Sequence, residues 1–257
     1  MSRFRRRVPR AACLLVLSGF GLPAWAADGA PAFDRPGIAF STSTLKPGAV
    51  AWEQGLPDFS RDSSAGTRTT TWVADTLLRF GVADGWELQL GADSYGGIDV
   101  RGQGIRTSRR GGGDGHVSLK WVPKTAGETF HWGVLATATL PWGSAPLGGG
   151  GHDYDIGITG SWATSANATL SLYADRSGGD DGSGWLFSPN FGFPLAGNFS
   201  AYIEAGYGTG AAHARVAGGG VSWAVNSRLQ LDVSFLRGLD GASPDWQSGI
   251  GLALYFD

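Results

Sequence analysis

Beyond residue 26 this sequence has no cysteine, since its only one is Cys13. The rest of the chain can form no disulfide and offers no thiol nucleophile or thiolate metal site. Long hydrophobic runs are missing as well. The apolar stretch 11–22 is shorter than the roughly 20 residues a membrane-spanning helix needs, and nothing after it comes closer. Charge is sparse, at 16% of residues, and it is not basic. Residues 1–26 hold five of the 20 basic residues and none of the 22 acidic ones, which leaves the remainder at −7. No nucleic-acid partner is expected, because that needs a clustered basic surface. The sequence also contains no H-E-x-x-H, P-loop or G-x-S-x-G signature. Neither a catalytic residue, a cofactor nor a metal is expected.

Several features are present in place of these. Arg3, Arg5, Arg6, Arg7 and Arg10 precede the short apolar stretch, and Ala24-Trp25-Ala26 forms a small-x-small cleavage site. Residues 1–26 therefore read as a secretory signal, with the mature chain starting at Ala27. The whole sequence carries 43 Gly, 11 Trp and 13 Phe. That is too much glycine for an ordinary helical domain and too many aromatics for a disordered one. A membrane β-barrel accommodates both, because its apolar residues are spread over alternate positions.

The alternation is clearest over 86–95. Trp86, Leu88, Leu90 and Ala92 fall on one face and Glu87, Gln89, Gly91 and Asp93 on the other, as side chains of a strand must. Similar ten-residue units recur to the C-terminus, where Ile250, Leu252, Leu254 and Phe256 end the chain one residue before Asp257. Short connectors at 81–85, 123–129, 163–168, 195–198 and 225–228 alternate with longer, Gly- and charge-rich ones at 96–113, 141–152, 176–184, 208–214 and 238–246. With a first strand near 48–58 and its loop at 59–69, twelve strands result. The expected fold is an all-β transmembrane antiparallel β-barrel with short periplasmic turns and longer outer loops. Residues 27–47 are expected to be a lead-in and 48–257 the barrel. Within the lead-in, 36–45 reads as a periplasmic or lumen-packed segment. Pro189 predicts a bulge or kink in the eighth strand.

The topology places Trp86, Trp121, Trp132, Trp162 and Trp223 near periplasmic strand ends and Trp72, Trp142, Trp185 and Trp246 near outer ends, two girdles suited to amphipathic indoles. The lumen-facing charges are the candidate functional residues: Asp75, Arg79, Glu87, Asp93, Lys120, Asp155, Glu204 and Asp232. They either pair across strands or line a conduit. Arg79 and Glu87 flank one tight turn and are placed to pair. The glycine runs at 111–113, 148–151 and 218–220 read as loops or thin-walled strand positions, and the four histidines lie apart from one another.

Several stretches resemble an outer-membrane family described as "Putative MetA-pathway of phenol degradation". They are Asp34-Arg35-Pro36-Gly37, Lys46-Pro47-Gly48, Glu53-Gln54-Gly55, the run Asp75 to Gly81, Glu87 to Leu90, Gly113-Asp114-Gly115, and Ala138 to Gly143. The resemblance implies a barrel that moves aromatic or other hydrophobic compounds, and it carries over no catalytic or ligand residues. The expected function is passive passage of small molecules across a bacterial outer membrane. The expected partners are outer-membrane lipid, a small-molecule solute and the barrel-assembly machinery during insertion. A membrane-embedded enzyme and a structural or adhesive barrel are the alternatives.

Overall fold

Alternating segments that cross lipid can satisfy their backbone groups only by pairing with neighbours and closing on themselves. The computed structural model describes residues 31–257, apart from 126, 128, 165, 166 and 181. The expected signal peptide lies outside the described residues. Every regular element among them is a strand: β1 Val50–Gly55, β2 Asp58–Ser64, β3 Thr67–Ala83, β4 Trp86–Gly102, β5 Ile105–Gly111, β6 Gly115–Trp121 and β7 Phe130–Leu140. The second half holds β8 Asp153–Ala163, β9 Thr169–Gly179, β10 Gly182–Pro194, β11 Phe199–Gly210, β12 Arg215–Ala224, β13 Leu229–Gly238 and β14 Trp246–Phe256.

Two pairs of these elements are single strands with a break. β1 and β2 both lie between β14 and β3. The break falls at Leu56-Pro57, where proline has no N–H to donate. β5 and β6 run successively along β4, divided at residues 112–114. Twelve staves therefore go round the barrel, all antiparallel, and β1 closes it against β14 from Val50↔Phe256 to Gly55↔Gly251.

The outside of the wall carries Leu90, Leu119, Ile156, Ile158, Leu172, Ile203, Val233 and Ile250, all exposed. A continuous apolar exterior of this kind is lipid-facing. Aromatic pairs bound it at both ends. Trp86, Trp121 and Trp132 pack in sequence at the periplasmic side, and Phe199 stacks on Trp223 there. Trp72 meets Tyr95, and Trp246 meets Phe235, at the outer side.

The outer connections differ from expectation in one respect. The segments 59–69, 96–113 and 176–184 are mostly strand. β2 and β3 meet at Ala65-Gly66, and β4 and β5 at Gln103-Gly104. Both central residues of each turn have positive φ, at 49° and 76° in the first and 50° and 75° in the second. Two such residues make the hairpin turn whose twist matches its strands. These strands show no apolar alternation because they stand above the membrane, with water on both faces. β3 and β4 have 17 residues each, against the roughly 9–11 that cross a bilayer.

Pro189 also differs from expectation. It is paired to Leu172 of β9, while pairing to β11 lapses at Ser188 and Pro189 with the register unchanged on either side. The missing N–H costs a rung without adding a residue. The register shifts lie elsewhere, between β3 and β4, at Ser94 opposite the Ala74/Asp75 step and at Val82 between Gly81 and Ala83.

Candidate functional site

Residues 33–41 are buried without a break, yet they form no strand. They lie inside the barrel, so the lead-in is lumen-packed. A buried chain with no ladder must find other partners for its N–H groups. Here the partners are mostly carboxylates on the wall. The Asp34 and Arg35 amides donate to the two oxygens of Glu53 at 2.8 and 2.7 Å. The Ile38 amide donates to Glu204 Oε2 at 3.1 Å and that of Leu45 to Glu87 Oε2 at 3.0 Å. Within the segment itself, the Ser41 amide donates to Asp34 Oδ1 at 2.9 Å.

Two knots of charge fasten the segment. The first centres on Arg79, which has no exposed surface. Its Nε and Nη2 donate to the two Glu87 oxygens at 2.8 and 3.0 Å, and its Nη1 donates to Glu53 Oε1 at 2.7 Å. Asp34 stands 3.5 Å from its Nε. Lys120 Nζ donates to Asp34 Oδ1 and to Ser41 Oγ, each at 2.8 Å, and lies over the Phe40 ring. Gln89 bridges Asp34 and Glu87 with two bonds of 2.7 Å. Three carboxylates thus share two cations and a carboxamide.

The second knot centres on Arg35, carried by the segment. Its guanidinium reaches Asp75 at 3.0 Å, Asp58 at 3.1 Å and Asp232 at 3.6 Å. The wall is thinned to admit it. A Cβ added at Gly251 would collide with the guanidinium, and one at Gly55 with the Asp75 carboxylate. Ion pairs this deeply buried hold only while every partner is present, because an unpaired charge away from water is costly.

The far wall holds the segment differently. Phe40 meets Tyr173 edge to face at 5.9 Å, and Ile38 packs with Leu135, Val216 and Leu236. Around them the wall is mostly hydroxyl and amide, with the carboxylates of Asp155, Asp175 and Glu204 among these groups. Ser118 pairs with Thr137, and Ser161 with Ser171. Thr159 Oγ1, Thr169 Oγ1 and Ser188 Oγ are buried and meet no hydrogen-bond partner. Buried polar groups with no partner in the protein call for water or a solute.

Of the eight charges singled out from the sequence, six meet the segment. Arg79, Glu87 and Lys120 belong to the first knot, Asp75 and Asp232 to the second, and Glu204 holds Ile38. Asp93 and Asp155 lie half-buried on the wall and do not reach it. Alternation alone missed Asp34, Arg35, Glu53 and Asp58; it placed Gln89 on the lumen face beside Glu87, but Gln89 is uncharged and was not singled out. A signal existed for three of the four: the stretches around Asp34-Arg35 and Glu53 carry the family resemblance, and the structure bonds one to the other.

Residues 33–256 match the family described as "Putative MetA-pathway of phenol degradation". The chain belongs to this family. The match begins with the inserted segment, which is therefore part of the family pattern along with the barrel. No curated protein matches the chain. Among solved structures it is similar to the COG4313 outer membrane channel from Pseudomonas putida F1, at 14% identity and TM-score 0.67, covering 86% of this chain and 99% of that one. The KdgM porin in complex with disordered oligogalacturonate aligns at 11% identity and TM-score 0.55, over 81% and 99%. The translocator domain of the autotransporter NalP from Neisseria meningitidis aligns at 12% identity and TM-score 0.52, over 82% and 90%. At these identities the likeness is one of fold.

Proposed function

We propose that this family member is a passive outer-membrane channel for small molecules, narrowed by its own residues 33–45, with aromatic or other hydrophobic compounds as cargo. The observation that carries the reading is the asymmetry of the lumen. The segment is fastened by ion pairs to β1–β6 and β13, whereas among the described residues it forms none to β7–β12, where Thr159, Thr169 and Ser188 present buried hydroxyls with no hydrogen-bond partner. Twelve strands enclose more space than the eight whose side chains just fill a barrel and less than the sixteen of an open pore. A folded strap across that space narrows the route left to a solute. No energy input is needed for solutes to move down a gradient through it. The cargo class is supported by the family description.

The test is single-channel conductance of refolded protein in planar bilayers, with phenolic and sugar solutes added in turn. Small, steady currents that phenolics reduce and sugars do not are expected. Block by sugars alone would remove the aromatic cargo. A silent protein that stays silent after residues 31–45 are deleted would exclude a channel and leave a structural barrel.

A further inference from the structure

Above the outer girdle, β2, the upper halves of β3 and β4, and β5 form a four-stranded sheet that continues beyond the barrel rim. Register assigns its faces. Asp58 and Ser60 point into the lumen and are buried, so Arg61 and Ser63 of β2 point outward. Following the ladder, Ser63 opposes Arg68, Arg68 opposes Arg101, and Arg101 opposes Arg106. Three arginines therefore stand side by side in one row on the exterior face. Like charges directly opposite one another destabilise a sheet, and none of these three makes an ion pair with a carboxylate among the described residues. Edge protection explains a cation on β5, whose far edge has no partner strand. It does not explain Arg68 or Arg101, which lie on interior strands.

The next rows down add Arg61 and Arg110 to the same face. Arg61 lies over the Trp246 ring at 4.9 Å, and Arg110 over Trp72 at 5.3 Å. Among the described residues Asp99, beside Arg110, is the one carboxylate paired with this face. Five cations thus face outward just above the aromatics that mark the outer interface, on a chain whose net charge is negative. Further round the barrel Arg176 sits over Trp185 and Arg215 over Tyr207, so the pattern of arginine above girdle aromatic recurs.

We propose that this outward arginine face binds the phosphate groups of a phosphorylated outer-leaflet glycolipid such as lipopolysaccharide. A planar fork of N–H donors fits phosphate with two bonds at once, and a row of three, about 5 Å apart across the strands, fits a headgroup bearing more than one phosphate. The anions would relieve the mutual repulsion of the row. The inference rests on outer-membrane placement, with the turn at Asp84-Gly85 on the periplasmic side, and is independent of whether the lumen conducts.

Binding is measured on refolded full-length protein in an uncharged detergent, following Trp fluorescence during titration with lipopolysaccharide. Parallel titrations use the same lipopolysaccharide after dephosphorylation, phosphatidylglycerol vesicles, and inorganic pyrophosphate. Lipopolysaccharide is expected to bind tightest. Dephosphorylation, and separately the triple variant R68Q/R101Q/R106Q, should each weaken it about tenfold or more, as loss of charge-assisted bonds does. R228Q, at the periplasmic end beside Asp257, should bind as the wild type does. The triple variant should fold at least as readily, since its repelling row is gone. Should it fail to fold, R101Q alone serves in its place. Undiminished binding by the triple variant or by dephosphorylated lipid overturns the proposal. So does equal affinity for phosphatidylglycerol, which would mean general attraction to anionic lipid, or for pyrophosphate, which would mean a free-anion site.

Discussion

The two walls of the lumen handle the same buried segment by opposite means. From β13 through β14 and β1 to β6, the wall meets it with charge: Glu53, Asp58, Asp75, Arg79, Glu87, Lys120 and Asp232 close on Asp34 and Arg35. From β7 to β12, the wall offers Tyr173, Leu135 and Val216 as apolar contacts, with hydroxyl and amide groups and the carboxylates of Asp155, Asp175 and Glu204, none of which forms an ion pair among the described residues. Ion pairs are directional and fail together when one member goes. Apolar contacts are tolerant, and unsatisfied hydroxyls accept whatever donor arrives. The ion-paired wall is therefore suited to fixing the segment, and the unpaired wall to being passed by.

Replacing Arg79 by methionine should break this contrast most severely. It leaves Asp34, Glu53 and Glu87 buried with Lys120 as their only cation, at a cost of about 3–5 kcal/mol. The barrel, closed by its own ladder, should persist while the segment leaves. Conductance should rise and residues 33–45 should become cleavable by protease added from the periplasmic side. Unchanged conductance and protection would mean that the ion-paired wall is not what holds the segment.

A steric variant should act in the same direction without touching charge. Gly251→Leu places a side chain where the Arg35 guanidinium lies, so Arg35 must give up Asp58 and Asp75. The expected outcome is a conductance between those of the wild type and Arg79→Met. A current equal to the wild type would show that Arg35 has other room.

On the unpaired wall, Ser188→Ala and Thr159→Val remove hydroxyls that have no protein partner. Heat-induced unfolding should move by less than about 1 kcal/mol equivalent, since no internal bond is lost. Conductance to ions should fall as that wall becomes drier. A large loss of stability with unchanged current would reverse the roles of the two walls.

The smallest expected effect lies in the outer loop 239–245. The Ser243 hydroxyl bonded to Asp240, with help from His213 and two backbone amides, holds this carboxyl at about 2. A depressed folded pKa contributes stability that is present above the unfolded value near 3.9 and is lost as pH falls through the folded one. The loop should keep its order down to about pH 3 and loosen toward pH 2, as read by the mobility of a probe attached at Ala242. Loosening already between pH 5 and 4 would contradict it. The exposed position keeps the effect slight.

Period-two alternation is a local property, so residues 86–95 could be assigned to a strand, and to the faces it shows, from their order alone. The strand count and the orientation of Arg79 and Glu87 across their turn followed for the same reason. The strands above the membrane were not legible, because with water on both sides nothing selects apolar residues at alternate positions. That is why Arg68, Arg101 and Arg106 looked like loop charges. Their register put them in one row.

The inserted segment marks the division most clearly. Asp34-Arg35-Pro36-Gly37 has no periodicity, and no neighbour in sequence could satisfy its amides or its charges. Its partners lie between 18 and about 200 positions further along the chain, at Glu53, Asp58, Asp75, Lys120, Glu204, Gln230 and Asp232. Only closure of the barrel gathers those groups round one axis. Sequence order thus settled that this chain would be a barrel, since alternation and ladder pairing act over neighbouring residues. What occupies the barrel was left to closure, because a lumen and its charge complement exist only once β1 has met β14.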